Sequence, residues 1–395
     1  MKPIFKITLA AALAISALGA RADAVTDWNT KAGDFITEAK IGTPPAVRIM
    51  AIAQTAVADG ARAAQGAGAS VDAAIAAANR TVLLKFIPTQ QAAIETAYQA
   101  ALANVAQGTA RTSGIELGEK AATAVIAARA DDQAAAAASD RYRPHAAPGA
   151  YVPTAAPAVT QWPQRKPWLM TKADQFRPEP PPALNSATWT RDYNEIKAIG
   201  SKTSTVRTAE QTEMARFWEY SLPAIYNGVL RSVAQMPGRS AAQNARLFAA
   251  ASQAMDDGLI AVFDAKYYYN FWRPTTAVRN GEFDGNPATE GDTGWSSLID
   301  APLHPEYPSA HSILAAAVGA VLQAELGSAP TPTLTTTSPT AKGAARSWTK
   351  VDDFVKEVGN ARIYEGIHFR TSTEVGAKMG KQVGELAAQR FARPD

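Results

Sequence analysis

Three of the four histidines, His304, His311 and His368, fall in two short stretches. The first stretch, Pro302 to His311, reads Pro-Leu-His-Pro-Glu-Tyr-Pro-Ser-Ala-His and runs into the apolar Ile313–Leu322, which predicts a buried helix. Ser309 is a good N-cap and Pro308 is compatible with a helix start. A helix N-terminus offers unpaired N–H groups and the positive end of the macrodipole, hence a place for an anion. Ser309 adds a hydroxyl there, His311 an imidazole, and Ala310 and His311 their backbone N–H groups.

Cations stand at two further positions. Lys266 and Arg273 are seven residues apart, nearly two helical turns, so on a continuous helix they share a face with Phe263 and Asn270. Pro274 disfavours helix at Arg273 and places it near the helix end. Arg362 and His368 are six apart and would lie on different faces, but Gly366 is expected to break the helix and turn His368 back. Nothing in the set Lys266, Arg273, Ser309, His311, Arg362 and His368 is acidic. If buried together, three cations need a multiply charged anion such as phosphate or vanadate. Singly, each residue has an ordinary reading: a solvated helix face for Lys266 and Arg273, a plain cap for Ser309, packing histidines for the rest. A zinc site of His304, His311 and His368 is the rival, opposed by the cations and by the lack of an acidic partner for the histidines.

The order Lys-x6-Arg-Pro, Pro-Ser-x-His, Arg-x5-His resembles the superfamily that joins vanadium-dependent haloperoxidases to type 2 phosphatidic acid phosphatases. Asp174-Gln-Phe-Arg-Pro and the following prolines resemble its soluble bacterial haloperoxidase-type members. The resemblance runs from about Asp27 to Phe391, most specifically from Asp257 to His368. It implies vanadate held by Lys266, Arg273, Ser309, Arg362 and the Ala310 N–H, with His368 as the vanadium ligand and His311 as acid–base group. It implies hydrogen peroxide, polarised by Lys266, and a halide as substrates, and hypohalous acid as product. With phosphate in the same place, His368 becomes a nucleophile and a phosphate ester the substrate. His304, five residues before Ser309, would lie on the halide side and favours bromide.

Three positions depart from the family pattern: Ala310 where glycine is common, Ala361 where serine is usual, and Ser372 where an aspartate usually orients the liganding histidine. Ser372 leaves His368 without its expected carboxylate. Three readings therefore stand: a vanadate haloperoxidase-type enzyme, a soluble exported acid phosphatase, and a degenerate anion-binding helical protein.

The rest of the chain must position these groups. Residues 1–22 read as a signal peptide, with Lys2 and Lys6, an apolar Ile7–Leu18, and Ala20-Arg21-Ala22 for cleavage. Cleavage takes the net charge from +3 to zero, so no basic field for nucleic acid is expected, nor a membrane span in the mature chain. Absence of cysteine excludes disulfides and thiolate chemistry. Residues 23–395 are read as one unit. Ala-rich helices over 27–140 are expected to break near Gly66–Gly68, Pro88 and Gly108–Gly118. A Pro-rich covering segment follows over 144–185 with Trp162, Trp168 and Phe176, then a catalytic bundle over 186–395. In that bundle Thr208–Gln211 fits a capping box, 240–272 reads as one or two helices, Asn280–Gly294 and Thr331–Thr340 as loops, and Asp352 or Asp353 as a cap. Gly376, Gly380, Gly384 and Ala388 form a small-residue stripe. The fold class expected is all-α, helical bundles with the anion site in the C-terminal one.

Overall fold

A computed structural model describes residues 23–130 and 142–392; residues 1–22, read above as a signal peptide, lie outside the described residues. The chain folds as helices: α1 (Ala24–Glu38), α2 (Thr43–Gly66), α3 (Val71–Phe86), α4 (Gln91–Ala103), α5 (Thr109–Ala127), α6 (Ala187–Ile199), α7 (Ala209–Trp218), α8 (Pro223–Ala234), α9 (Ala241–Tyr269), α10 (Pro274–Arg279), α11 (Ala310–Leu326), α12 (Val351–Tyr364) and α13 (Arg370–Phe391). One antiparallel hairpin, β1 (Leu334–Ser338) with β2 (Ala344–Trp348), pairs Leu334 with Trp348. Among the described residues no helix is long and apolar enough to cross a membrane.

The 29-residue helix α9 is the axis of the molecule. It starts with a Ser240–Gln243 capping box and is apolar on nearly all sides, because it packs α2 on one flank and α11 and α13 on another. The main apolar core runs through all of these helices, from Val25 to Ala387. Midway along α9, Asp257 accepts the backbone N–H groups of Trp168, Leu169 and Met170 at 2.7–2.9 Å, and Asp256 accepts the Trp168 indole at 2.7 Å and Arg48 at 2.5 Å. The Pro-rich segment is thereby pinned along the central helix.

A second, aromatic cluster backs the ends of α9 and α12: Trp189, Tyr193, Phe271, Trp272, Trp295, Tyr307 and Phe369. The capping box at Thr208 forms as read. So does the break at Gly366: its φ of +80° ends α12, and the N–H groups of Ile367 and His368 return to the Arg362 carbonyl.

Four local expectations are corrected. Helix α9 ends at Tyr269, where Asn270 takes the left-handed conformation, so Arg273 is not on it; extended Phe271 bridges to Ala150, and Arg273 becomes the N-cap of α10. Gly114 and Gly118 do not break a helix but lie inside α5, pressed against the Ser70 and Ala74 carbonyls of the α3 start. The Thr-rich loop contains strand β1, held because Thr336 and Ser338 donate to the Ile225 and Phe217 carbonyls at 2.7 and 2.6 Å. Lys350, not an aspartate, is the N-cap of α12; Asp352 and Asp353 sit in its first turn, where the helix dipole favours them.

Candidate active site

His368 is the hub. The Gly366 turn aims its ring back across the α12–α13 junction, 2 % exposed. Its Nδ1 lies 2.8 Å from Glu306 Oε1, and its Nε2 lies 3.4 Å from an Arg273 guanidinium nitrogen. Arg273 also donates to the carbonyls of His304 and Ile367 at 2.9 Å and to His304 Nδ1 at 3.0 Å. Its extended N-cap conformation gives the side chain this reach. Lys266, from the last turn of α9, is fully buried and donates to the carbonyls of Pro305 and Glu306 at 2.9 and 2.8 Å, leaving one ammonium proton for another acceptor. Lys266, Arg273, His304 and His368 are therefore one contact cluster.

Ser309 caps α11 as expected, accepting from the Ser312 N–H, and its own N–H donates to the Ser372 carbonyl at 3.0 Å. Ala310 opens the helix. His311 and Arg362 meet at the end of α7. Arg362 donates to the Trp218 carbonyl at 2.6 Å, and the Trp218 and Tyr220 carbonyls face the His311 ring. Their link to the His368 cluster is electrostatic: Arg362 disfavours charge on Lys266, His311 and His368 alike.

Burial decides the protonation of these groups. Desolvation holds the His304, His311 and His368 rings well below the ordinary imidazole range, with the neighbouring cations adding to it. It also lowers Lys266 well below its usual value and Arg273 to about 10. His304 retains partial solvent contact, so its depression counts for less. Its ring stands edge-on to Phe263, centroids 5.1 Å apart.

The expectation that the histidines lack an acidic partner is corrected: His368 faces Glu306. Glu306 and Glu365 are both completely buried. Glu306 accepts from Phe369 N–H at 3.0 Å and from Ser372 Oγ at 2.5 Å besides facing His368. Burial raises its carboxyl to about 7 against the pull of Ser372, Lys266 and Arg273. Glu365 lies 2.6 Å from Arg362. Glu306 stands inside the Pro-Glu-Tyr-Pro-Ser stretch, but a lone acid carries no spacing signal; the Trp218 carbonyl had none either.

An oxyanion cofactor fits this place. Buried His311 Nε2 and Arg362 Nε have no partner, Arg273 touches the His368 ring while Lys266 and Arg362 act on it electrostatically, and α11 presents its N-terminus. Zinc does not fit: among the described residues no set of three or more His, Asp or Glu side chains is arranged to hold a metal ion.

A family model described as "VCPO second helical-bundle domain" matches residues 246–394. Vanadium chloroperoxidase of Curvularia inaequalis is 29% identical over 183 residues, 39% of this chain and 29% of that protein, so the match spans less than a third of the relative's length. A solved bacterial vanadium-dependent iodoperoxidase superposes with a TM-score of 0.79 at 22% identity, covering 93% of this chain and 95% of that one. An apo-type bacterial vanadium-dependent chloroperoxidase superposes with 0.74 at 18% identity, covering 89% and 95%. Residues 246–394 thus resemble the second helical bundle of vanadium chloroperoxidase, and the chain as a whole shares the fold of the solved bacterial vanadium-dependent haloperoxidases.

Proposed function

We propose that this chain is a vanadate-dependent haloperoxidase-type enzyme that oxidises halide, bromide preferred, with hydrogen peroxide to hypohalous acid. The observation that carries the proposal is the burial of three cations, Lys266, Arg273 and Arg362, that all bear electrostatically on His368, with His311 Nε2 and Arg362 Nε lacking partners. Bound vanadate supplies the Lewis-acid centre that activates peroxide toward halide without changing its oxidation state. Lys266, Arg273, Arg362, Ser309 and the Ala310 N–H would hold and charge-balance the oxyanion, and His368 would ligate through Nε2, since its Nδ1 faces Glu306. His311, neutral and with a buried, unpartnered Nε2, would take up and return the proton that peroxide loses. The Lys266 proton not given to the Pro305 and Glu306 carbonyls would be available to a bound oxyanion.

Bromide preference rests on His304, whose ring Arg273 holds at the edge of the cluster. The relatives' own names carry chloride and iodide, so halide choice is a matter for assay. Export, with a mature N-terminus near Asp23, rests on the charged and apolar pattern of residues 1–22. The test is oxidation of iodide, bromide and chloride by purified protein with and without vanadate, beside hydrolysis of a phosphate ester. Vanadate-stimulated bromide oxidation supports the reading. Phosphatase activity alone makes phosphate the native anion, and activity in neither leaves an anion-binding protein.

A further inference from the structure

We infer that Glu306 is the positioning residue for His368, supplying from the segment before α11 the carboxylate that the chain lacks at position 372. The inference rests on the haloperoxidase-type reading for its role, but its geometry stands alone.

A ligating imidazole must present one nitrogen bare, and the usual device is a carboxylate or carbonyl that takes the N–H of the other nitrogen. Here Glu306 Oε1 takes the Nδ1 side of His368 at 2.8 Å, leaving Nε2 toward Arg273. The carboxylate is itself fixed on every side. Oε1 also accepts the Phe369 N–H at 3.0 Å, Oε2 accepts the Ser372 hydroxyl at 2.5 Å, and the Glu306 carbonyl accepts Lys266 at 2.8 Å. Glu306 is completely buried and Ser372 is 1% exposed. Ser372 is thus a donor to the relocated carboxylate, and its small hydroxyl fits where a second acid would collide. The departure at 372 and the acid at 306 form one compensated pair.

The swap is testable in the full chain. Vanadate affinity is measured by equilibrium binding, and the His368 tautomer by ring nitrogen spectra of protein labelled at histidine, assigned with His368→Ala. Wild type is expected to carry its proton on Nδ1. Glu306→Ala should mix the tautomers and weaken vanadate binding, toward the upper end of roughly 10- to 100-fold. Glu306→Gln, isosteric and still able to accept from Nδ1–H, should keep the tautomer and lose roughly 10-fold through the missing charge. The double change Glu306→Ala with Ser372→Asp should restore both readouts, which a merely structural loss would not do. The inference is overturned if Glu306→Ala keeps wild-type affinity and the Nδ1–H pattern, or if the double change recovers neither. Should Glu306→Ala fail to fold, Glu306→Gln with undiminished affinity at wild-type melting temperature overturns it equally. Wild-type protein that binds no vanadate would sink the proposed function, while the ring spectra would still decide the part played by Glu306.

Discussion

Where α3 meets α5, Gly118 lets the helices approach so closely that a Cβ there would lie 2.2 Å from the Ala74 carbonyl oxygen. Where α11 meets α13, Gly380 does the same against the Ile313 carbonyl, also at 2.2 Å. The first interface buries Ala73–Ala78, Val82 and Leu83 of α3, nearly all apolar. The second ends in Ser309, whose N–H donates to the Ser372 carbonyl, and in the Glu306–Ser372–His368 bonds. The same small-residue contact serves packing in one bundle and placement in the other. Close helix approach is not itself a functional sign; it becomes one where the approaching ends carry charged groups that must be held to a fraction of an ångström.

The comparison breaks most sharply at His368. His368→Ala should reduce vanadate binding and halide oxidation to background, while no N-terminal bundle substitution that still folds should do so. His311→Ala should lower turnover roughly 10²–10⁴-fold while vanadate binding changes far less; equal losses in both would deny His311 a proton-transfer role. Next comes a matched pair. Gly118→Ala and Gly380→Ala should each destabilise by about 1–3 kcal/mol through overpacking, read as unfolding free energies. Only Gly380→Ala should also cut turnover per folded molecule, by roughly 10²-fold, since displacement of α13 moves the start of α11 against His368. Equal activity in the two variants would erase the distinction drawn between the bundles.

Ser372→Asp alone sharpens the same point. It brings a second carboxylate against Glu306 Oε2 in a site with no solvent, so melting temperature should fall and vanadate affinity drop, by roughly 10-fold if His368 is tilted. A gain in affinity would mean that Glu306 is not already doing that task.

The smallest expected effect is on pH dependence. A folded-state imidazole pKa depressed below the unfolded value near 6.5 means that the unfolded chain binds more protons in acid. The stability contributed by His304, His311 and His368 is therefore full above about pH 6.5 and is lost as pH falls. Glu306, raised to about 7, acts in the opposite sense: its contribution is present below its unfolded pKa and lost as pH rises through about 7. His304→Phe removes one imidazole and leaves Glu306 in place, so the acid slope of unfolding free energy should flatten by at most ~1.4 kcal/mol per pH unit. Because His304 keeps partial solvent contact, a smaller change is expected, and urea unfolding at several pH values would read it.

Much of the frame follows from the chain alone, because its signals are local. The Ser309 cap, the Gly366 turn, the capping boxes at Thr208 and Ser240 and the run of buried helices depend on residues within a turn or two of each other. Motif order also named the cations and histidines. What the sequence hid are groups whose meaning depends on distant partners. Glu306 is a lone acid until folding sets it against His368, 62 residues away, and the Trp218 carbonyl is an ordinary helix end until Arg362 reaches it across 144. Arg273 lies beyond its expected helix because left-handed Asn270 ends it, so that Phe271 joins the aromatic cluster and bridges Ala150 while Arg273 caps the next helix. Local propensity decides where helices start and stop. Only packing decides which buried charges meet, since an unpaired charge without water costs more than any propensity can offset.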